Sequence, residues 1–75
     1  MKTISVVSNT LRTVGYDTGR QRLQIEFQNR SFYQYFEVPQ SVYEELMQAS
    51  SKGAYFNRSI RSNFDYVLVK AASLS

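Results

Sequence analysis

The strongest pattern along the chain is alternation. Leu23, Ile25 and Phe27 alternate with Arg22, Gln24, Glu26 and Gln28, the period-two signature of a strand with one buried face. A first strand runs from about Leu11 to Tyr16 and ends at Asp17-Thr18-Gly19. There the aspartate can bond local amides and the glycine accepts positive φ. A third strand, Phe32 to Phe36, follows Asn29-Arg30, read as a two-residue turn. Such a turn sets Phe27 against Phe32 and Leu23 against Phe36. One sheet face then carries Leu23, Ile25, Phe27, Phe32 and Phe36, and the first turn adds Val14 and Tyr16 to it. Arg12 has the parity of Val14 and is expected on that face or at its margin. Tyr33 and Tyr35 fall on the opposite face, beside Gln24 and Glu26.

After Pro39 the period changes. Proline suits a helix start, where a missing amide proton costs nothing. Val42, Leu46 and Ala49 form a stripe widened by Tyr43 and Met47, while Glu44, Glu45 and Gln48 fall towards solvent. Ser50 or Ser51 can cap a second helix, in which Phe56 and Ile60 lie one turn apart. Gly53 shares their face, and its missing side chain would let that helix approach a neighbour closely. Phe64, Tyr66, Val67 and Val69 then suggest a docked segment or short C-terminal strand. The expected architecture is α+β: a three-stranded antiparallel β-meander followed by two short helices packed on its apolar face. It forms one domain over residues 1–75, with a core at about 8–69 and a frayed tail at 70–75.

Composition narrows the chemistry. The 75 residues include no Cys and no His, which removes disulfides, thiolate metal sites and the commonest general base. Six Tyr and five Phe must supply much of the core. Neither a signal peptide nor a membrane span is evident, and the cytoplasm is the default location. Glu44 and Glu45 are neighbours on a helix and project roughly 100° apart, so they form no converging acid–base pair. Asp17 is accounted for by its turn. No metal-ligand spacing is present, no cofactor is expected, and catalysis is not indicated.

The order of motifs carries a resemblance. Val14-Gly15-Tyr16-Asp17, Tyr33-x-Tyr35, Val38-Pro39, Tyr43, Leu46, and Ser51-x-Gly53-x-Tyr55-Phe56-Asn57 with Ile60 resemble the KTSC domain. That family is named after an appendage at the C-terminus of some bacterial lysyl-tRNA synthetases, and it also occurs as a small stand-alone protein. The resemblance covers nearly all of Ser8 to Tyr66. It implies a small prokaryotic or phage domain of uncharacterised function, for which RNA binding has been suggested, and it brings no catalytic residues. Arg30 departs from the pattern, since glycine is expected after Asn29 in such a hairpin.

Two surfaces are candidates for function. Tyr33 and Tyr35, on an exposed strand, could stack on unpaired bases while nearby arginines contact phosphate. The competing reading makes them structural, covered by the C-terminal segment. Ser51-Lys52-Gly53 opens a helix, where free amides and Lys52 favour an anion. There the competing reading is a serine cap followed by a packing glycine. The net charge of +3 is modest. The leading expectation is a non-catalytic binding module for nucleic acid, RNA or tRNA, with Tyr33 and Tyr35 stacking and Arg22, Arg30, Lys52, Arg58 and Arg61 contacting phosphate. The alternative is a protein–protein interaction adaptor, self-associating or bound to a larger enzyme. The sequence leaves the oligomeric state open.

Overall fold

The computed structural model describes residues 2–71. Five antiparallel strands form one sheet in the order β1-β2-β3-β4-β5. They are β1 Thr3–Ser5, β2 Leu11–Asp17, β3 Arg22–Phe27, β4 Phe32–Tyr35 and β5 Tyr66–Lys70. Between β4 and β5 the chain leaves the sheet as α1, Gln40–Gln48, and α2, Lys52–Tyr55, which continues into a π-helical turn, Phe56–Ile60. The expected α+β meander and helices are present, but the sheet has five strands rather than three. Among the described residues no helix is long and apolar enough to cross a membrane. Of the tail expected to fray, Lys70 ends β5, and residues 72–75 lie outside the described residues.

Val14 and Tyr16 share a face with Leu23 and Ile25, as expected, and the β2–β3 register sets Val14 opposite Ile25 and Tyr16 opposite Leu23. The β3–β4 register is not as expected. Leu23 faces Tyr35 and Ile25 faces Tyr33, one residue away from the expected pairing. The cause is the turn. The Phe27 amide donates to the Ser31 carbonyl at 3.0 Å, and the Arg30 amide donates back to the Phe27 carbonyl at 2.9 Å. The loop is therefore three residues, Gln28-Asn29-Arg30, with Arg30 left-handed at φ 72°, as a three-residue hairpin requires. A one-residue slip moves every side chain to the other face. Tyr33 and Tyr35 thus sit on the helix-covered face, and Phe32 and Phe36 sit on the outer one. Arg12 is corrected as well. A bulge between Leu11 and Thr13 turns it outward, where its Nε lies 3.3 Å from Glu26 Oε2, and Thr13 Oγ1 donates to Glu26 Oε1 at 3.0 Å.

Left-handed backbone at a β-carbon-bearing residue costs about 1 kcal/mol. Arg30→Gly is therefore expected to raise stability by up to about 1 kcal/mol, read as a higher urea midpoint with an unchanged slope.

The core joins Leu11, Val14, Leu23 and Ile25 of the sheet to Val38, Leu46, Phe56 and Ile60. Tyr16 stacks on Tyr43 with centroids 4.9 Å apart and donates its hydroxyl to the Val38 carbonyl at 2.5 Å, which fixes α1 on the sheet. Ser51 Oγ caps α2 by accepting from the Ala54 amide at 3.3 Å. Gly53 is buried against the loop before β2, where an added β-carbon would lie 2.8 Å from Thr10 Oγ1. The close approach expected at Gly53 is present.

An aromatic cleft with an amide and arginine rim

The slip in register places Tyr33 and Tyr35 on the helix-covered face beside Phe27. Five rings close a circuit at the β4 end of the sheet. Phe27 meets Tyr33 at 5.5 Å and Phe56 at 5.4 Å, centroid to centroid. Tyr35 meets Phe56 at 5.5 Å and Tyr66 at 5.4 Å. Tyr33 and Tyr66, 5.7 Å apart, complete it. Most contacts are edge-on or tilted, the arrangements the ring quadrupole favours. The circuit floors an open cleft of about 620 Å³ whose rim includes Asn9, Gln28, Asn29, Asn57 and Arg61. Its size lies within the usual range for ligand sites.

Each wall has a local cause. Gln28 and Asn29 are held by the three-residue hairpin. Gln28 Nε2 donates to the Ser8 and Leu11 carbonyls at 3.0 and 3.1 Å. Asn29 Oδ1 accepts from the Ser31 amide and hydroxyl at 3.0 and 2.6 Å, which leaves its amide group for the cleft. On the other side, the Arg61 amide donates to the Phe56 carbonyl at 2.9 Å, five residues back. This π-helical bond widens the turn that carries Asn57 and Arg61 to the rim, and π-turns are frequent at functional sites.

No carboxylate among the described residues lines the cleft. Among the described residues the one ion pair is Arg12 with Glu26, so Arg61 is exposed and uncompensated. Tyr35 is 4% exposed, and burial pushes its hydroxyl up to about 12, with Tyr66 and Tyr33 adding to the shift and Arg61 opposing it. The folded chain therefore keeps this proton where an unfolded tyrosine, titrating near 10, would lose it. The stability this provides is present below about pH 10 and is lost as pH rises towards 12. Tyr35→Phe is expected to flatten the alkaline fall in stability by roughly 2–3 kcal/mol, measured by urea unfolding across that range. Desolvation also raises Tyr16 and Tyr55, so part of the slope remains.

Of the residues expected to bind, the structure brings Tyr33, Tyr35 and Arg61 together in one cleft, with Arg30 in the loop that forms its rim. Arg22 lies on the outer face, its guanidinium 5.2 Å from the Phe36 ring centroid. Lys52 Nζ donates to the Ala49 carbonyl at 3.2 Å, a contact that closes the turn between the helices. Arg58 lies 5.7 Å from the Tyr55 ring centroid, and Tyr55 in turn donates to Glu45 at 3.0 Å. Sequence reasoning missed Phe27, Phe56, Tyr66 and Asn57 as cleft residues. Tyr66 was the most accessible of these, because a strand paired antiparallel with β4 must share a face with Tyr33 and Tyr35.

Comparison with known proteins agrees with the geometry. The KTSC domain family model matches residues 7–64. An uncharacterised protein of Stutzerimonas stutzeri is 40% identical over 58 residues, covering 77% of this chain and 82% of that protein. A lysine–tRNA ligase of Nostoc punctiforme is 41% identical over 58 residues, but the match spans 10% of that enzyme. The crystal structure of a KTSC domain protein from Yersinia pestis superimposes with a TM-score of 0.88 at 31% identity, covering 91% of this chain and 96% of that one. The five-stranded sheet with its helical excursion is thus a KTSC domain, and the chain belongs to that family.

Proposed function

We propose that the domain is a non-catalytic module that binds single-stranded RNA through the aromatic cleft. The observation that carries this reading is the closed circuit of five rings under a rim that, among the described residues, holds Arg61 and no carboxylate. Unpaired bases stack on aromatic faces, and each stacked base is worth about 1–3 kcal/mol. Tyr66, the exposed member of the circuit, and Tyr33, which is half-buried, offer the stacking surface. Asn57 and Asn29 on the rim carry amides of the kind that hydrogen-bond the edge of an unpaired base. Arg61, with Arg30 near the rim, supplies phosphate contacts. The similarity to a segment of lysine–tRNA ligases supports RNA as the polymer.

The test is fluorescence anisotropy with a labelled single-stranded oligoribonucleotide and with the same sequence as a duplex. Preference for the single strand is expected, with log affinity falling against log salt at a slope of about −1.4 for two phosphate contacts. Equal affinity for the duplex, or no binding at low salt, rules the reading out. A second reading, association between protein chains, has its own observation in the exposed apolar side chains of β5.

A further inference from the structure

Among the described residues β5 is an edge strand with apolar side chains and unpaired main-chain groups. Tyr66, Val67, Leu68 and Val69 are 55, 46, 52 and 51% exposed, and β5 has a neighbour on one side, β4. The Phe36 amide fixes which groups point outward, because it donates to the Asp65 carbonyl at 2.9 Å. Successive residues of an antiparallel ladder turn their main-chain groups to alternate sides. Asp65 and Val67 therefore face β4, while Tyr66 and Leu68 turn N–H and C=O away from the sheet. Such a row is a template for another strand. The opposite edge, β1, has three residues, two of them polar.

We propose that β5 pairs antiparallel with β5 of a second copy, about a two-fold axis at Val67. Tyr66 then lies opposite the partner's Leu68 and exchanges two main-chain hydrogen bonds with it, and symmetry supplies two more. Charge selects both the partner and the direction. Asp65 precedes the strand and Lys70 ends it, and both lie on the outer face by register with Phe36 and Phe32. Antiparallel pairing brings each Lys70 within reach of the partner's Asp65, whereas parallel pairing sets like charges side by side. The irregularity of β5 against Phe32 and Tyr33 leaves Tyr66–Leu68 as the regular segment, which is the length this register uses. A two-fold axis perpendicular to the sheet preserves its faces, so both aromatic clefts open on the same side of the joined sheet. The proposal rests on β5 main-chain groups and Val67, not on RNA binding.

The test is sedimentation equilibrium of the full chain from about 20 μM to about 1 mM, because so small an interface implies a dissociation constant on the order of 0.1 mM. Val67 points away from the cleft, so Val67→Lys puts two ammonium groups together at the dyad without touching a cleft residue. It is expected to weaken association at least about ten-fold, while Val67→Thr, a good strand former, keeps it. Hydrogen exchange at the Tyr66 and Leu68 amides is expected to slow as the wild-type concentration rises. A wild-type chain monomeric up to about 1 mM overturns the proposal, and so does a Val67→Lys chain, folded by its amide spectrum, that associates as well as wild type. Pairing of β5 with a strand of a different protein while the chain stays monomeric also overturns it. Binding of a short RNA at the cleft is expected to be the same in wild type and Val67→Lys, so failure of either reading leaves the other intact.

Discussion

Tyr35→Ala is expected to cost the domain about 3–5 kcal/mol, the usual loss when a buried aromatic becomes alanine. A chain of this length has a total stability of roughly 4–11 kcal/mol, so the variant will be near its unfolding threshold at room temperature. Tyr35 is the buried member of the aromatic circuit, edge-on to Phe56 and tilted against Tyr66. Removing it deletes the ring contact between β4 and Phe56 of the π-helical turn and opens the cleft floor from below. Thermal unfolding followed by circular dichroism should show a midpoint at least about 12 °C lower. A fall of under about 3 °C would show that the circuit is not a packing unit. For the same reason Tyr35→Ala cannot report cleanly on binding, and exposed residues must be used instead.

Arg61→Ala is expected to weaken RNA binding about ten-fold at low salt while leaving the melting temperature within about 2 °C, because the side chain is exposed and has no carboxylate partner among the described residues. Its salt slope should shrink by about 0.7, one phosphate contact on a single strand. Tyr66→Ala should lose a further 1–3 kcal/mol of stacking, roughly five- to a hundred-fold in affinity. Arg22→Ala is the internal control. That guanidinium stacks near Phe36 on the far face of the sheet, so its loss should change affinity by less than about two-fold. Anisotropy titrations of the three variants against one oligoribonucleotide check the pattern. Equal losses for Arg22→Ala and Arg61→Ala would mean that overall charge, and not the cleft, governs binding.

Local features with a single physical solution were legible in the sequence. The face that Val14 and Tyr16 share with Leu23 and Ile25 followed from the strict alternation of β3 and the turn at Asp17-Thr18-Gly19. A serine cap at Ser50 or Ser51, and the close approach at Gly53, followed from the residue types that such positions require, and the structure selects Ser51. The candidate site was legible only in part, because its identity turned on the length of one loop. Asn29-Arg30 reads as a two-residue turn, since a left-handed third position normally shows itself as glycine. With arginine there, the three-residue loop was hidden, and the one-residue error moved Tyr33 and Tyr35 to the wrong face. Of the outer strands, β5 was legible as the short C-terminal strand that Tyr66, Val67 and Val69 suggest, whereas β1, three residues that are all exposed, was too short to show as a strand. The π-helical turn leaves no mark either, because Phe56 and Ile60 keep the spacing of an ordinary helix.

The measurement that bears most directly on the cleft as a binding site is an NMR titration of the labelled chain with a short single-stranded RNA at low and moderate salt. Salt-sensitive shifts at Tyr33, Tyr66, Asn57 and Arg61, with Arg22 and Phe36 on the far face unmoved, are the expected result. No shifts at low salt, or shifts confined to the Arg22–Phe36 face, would contradict it.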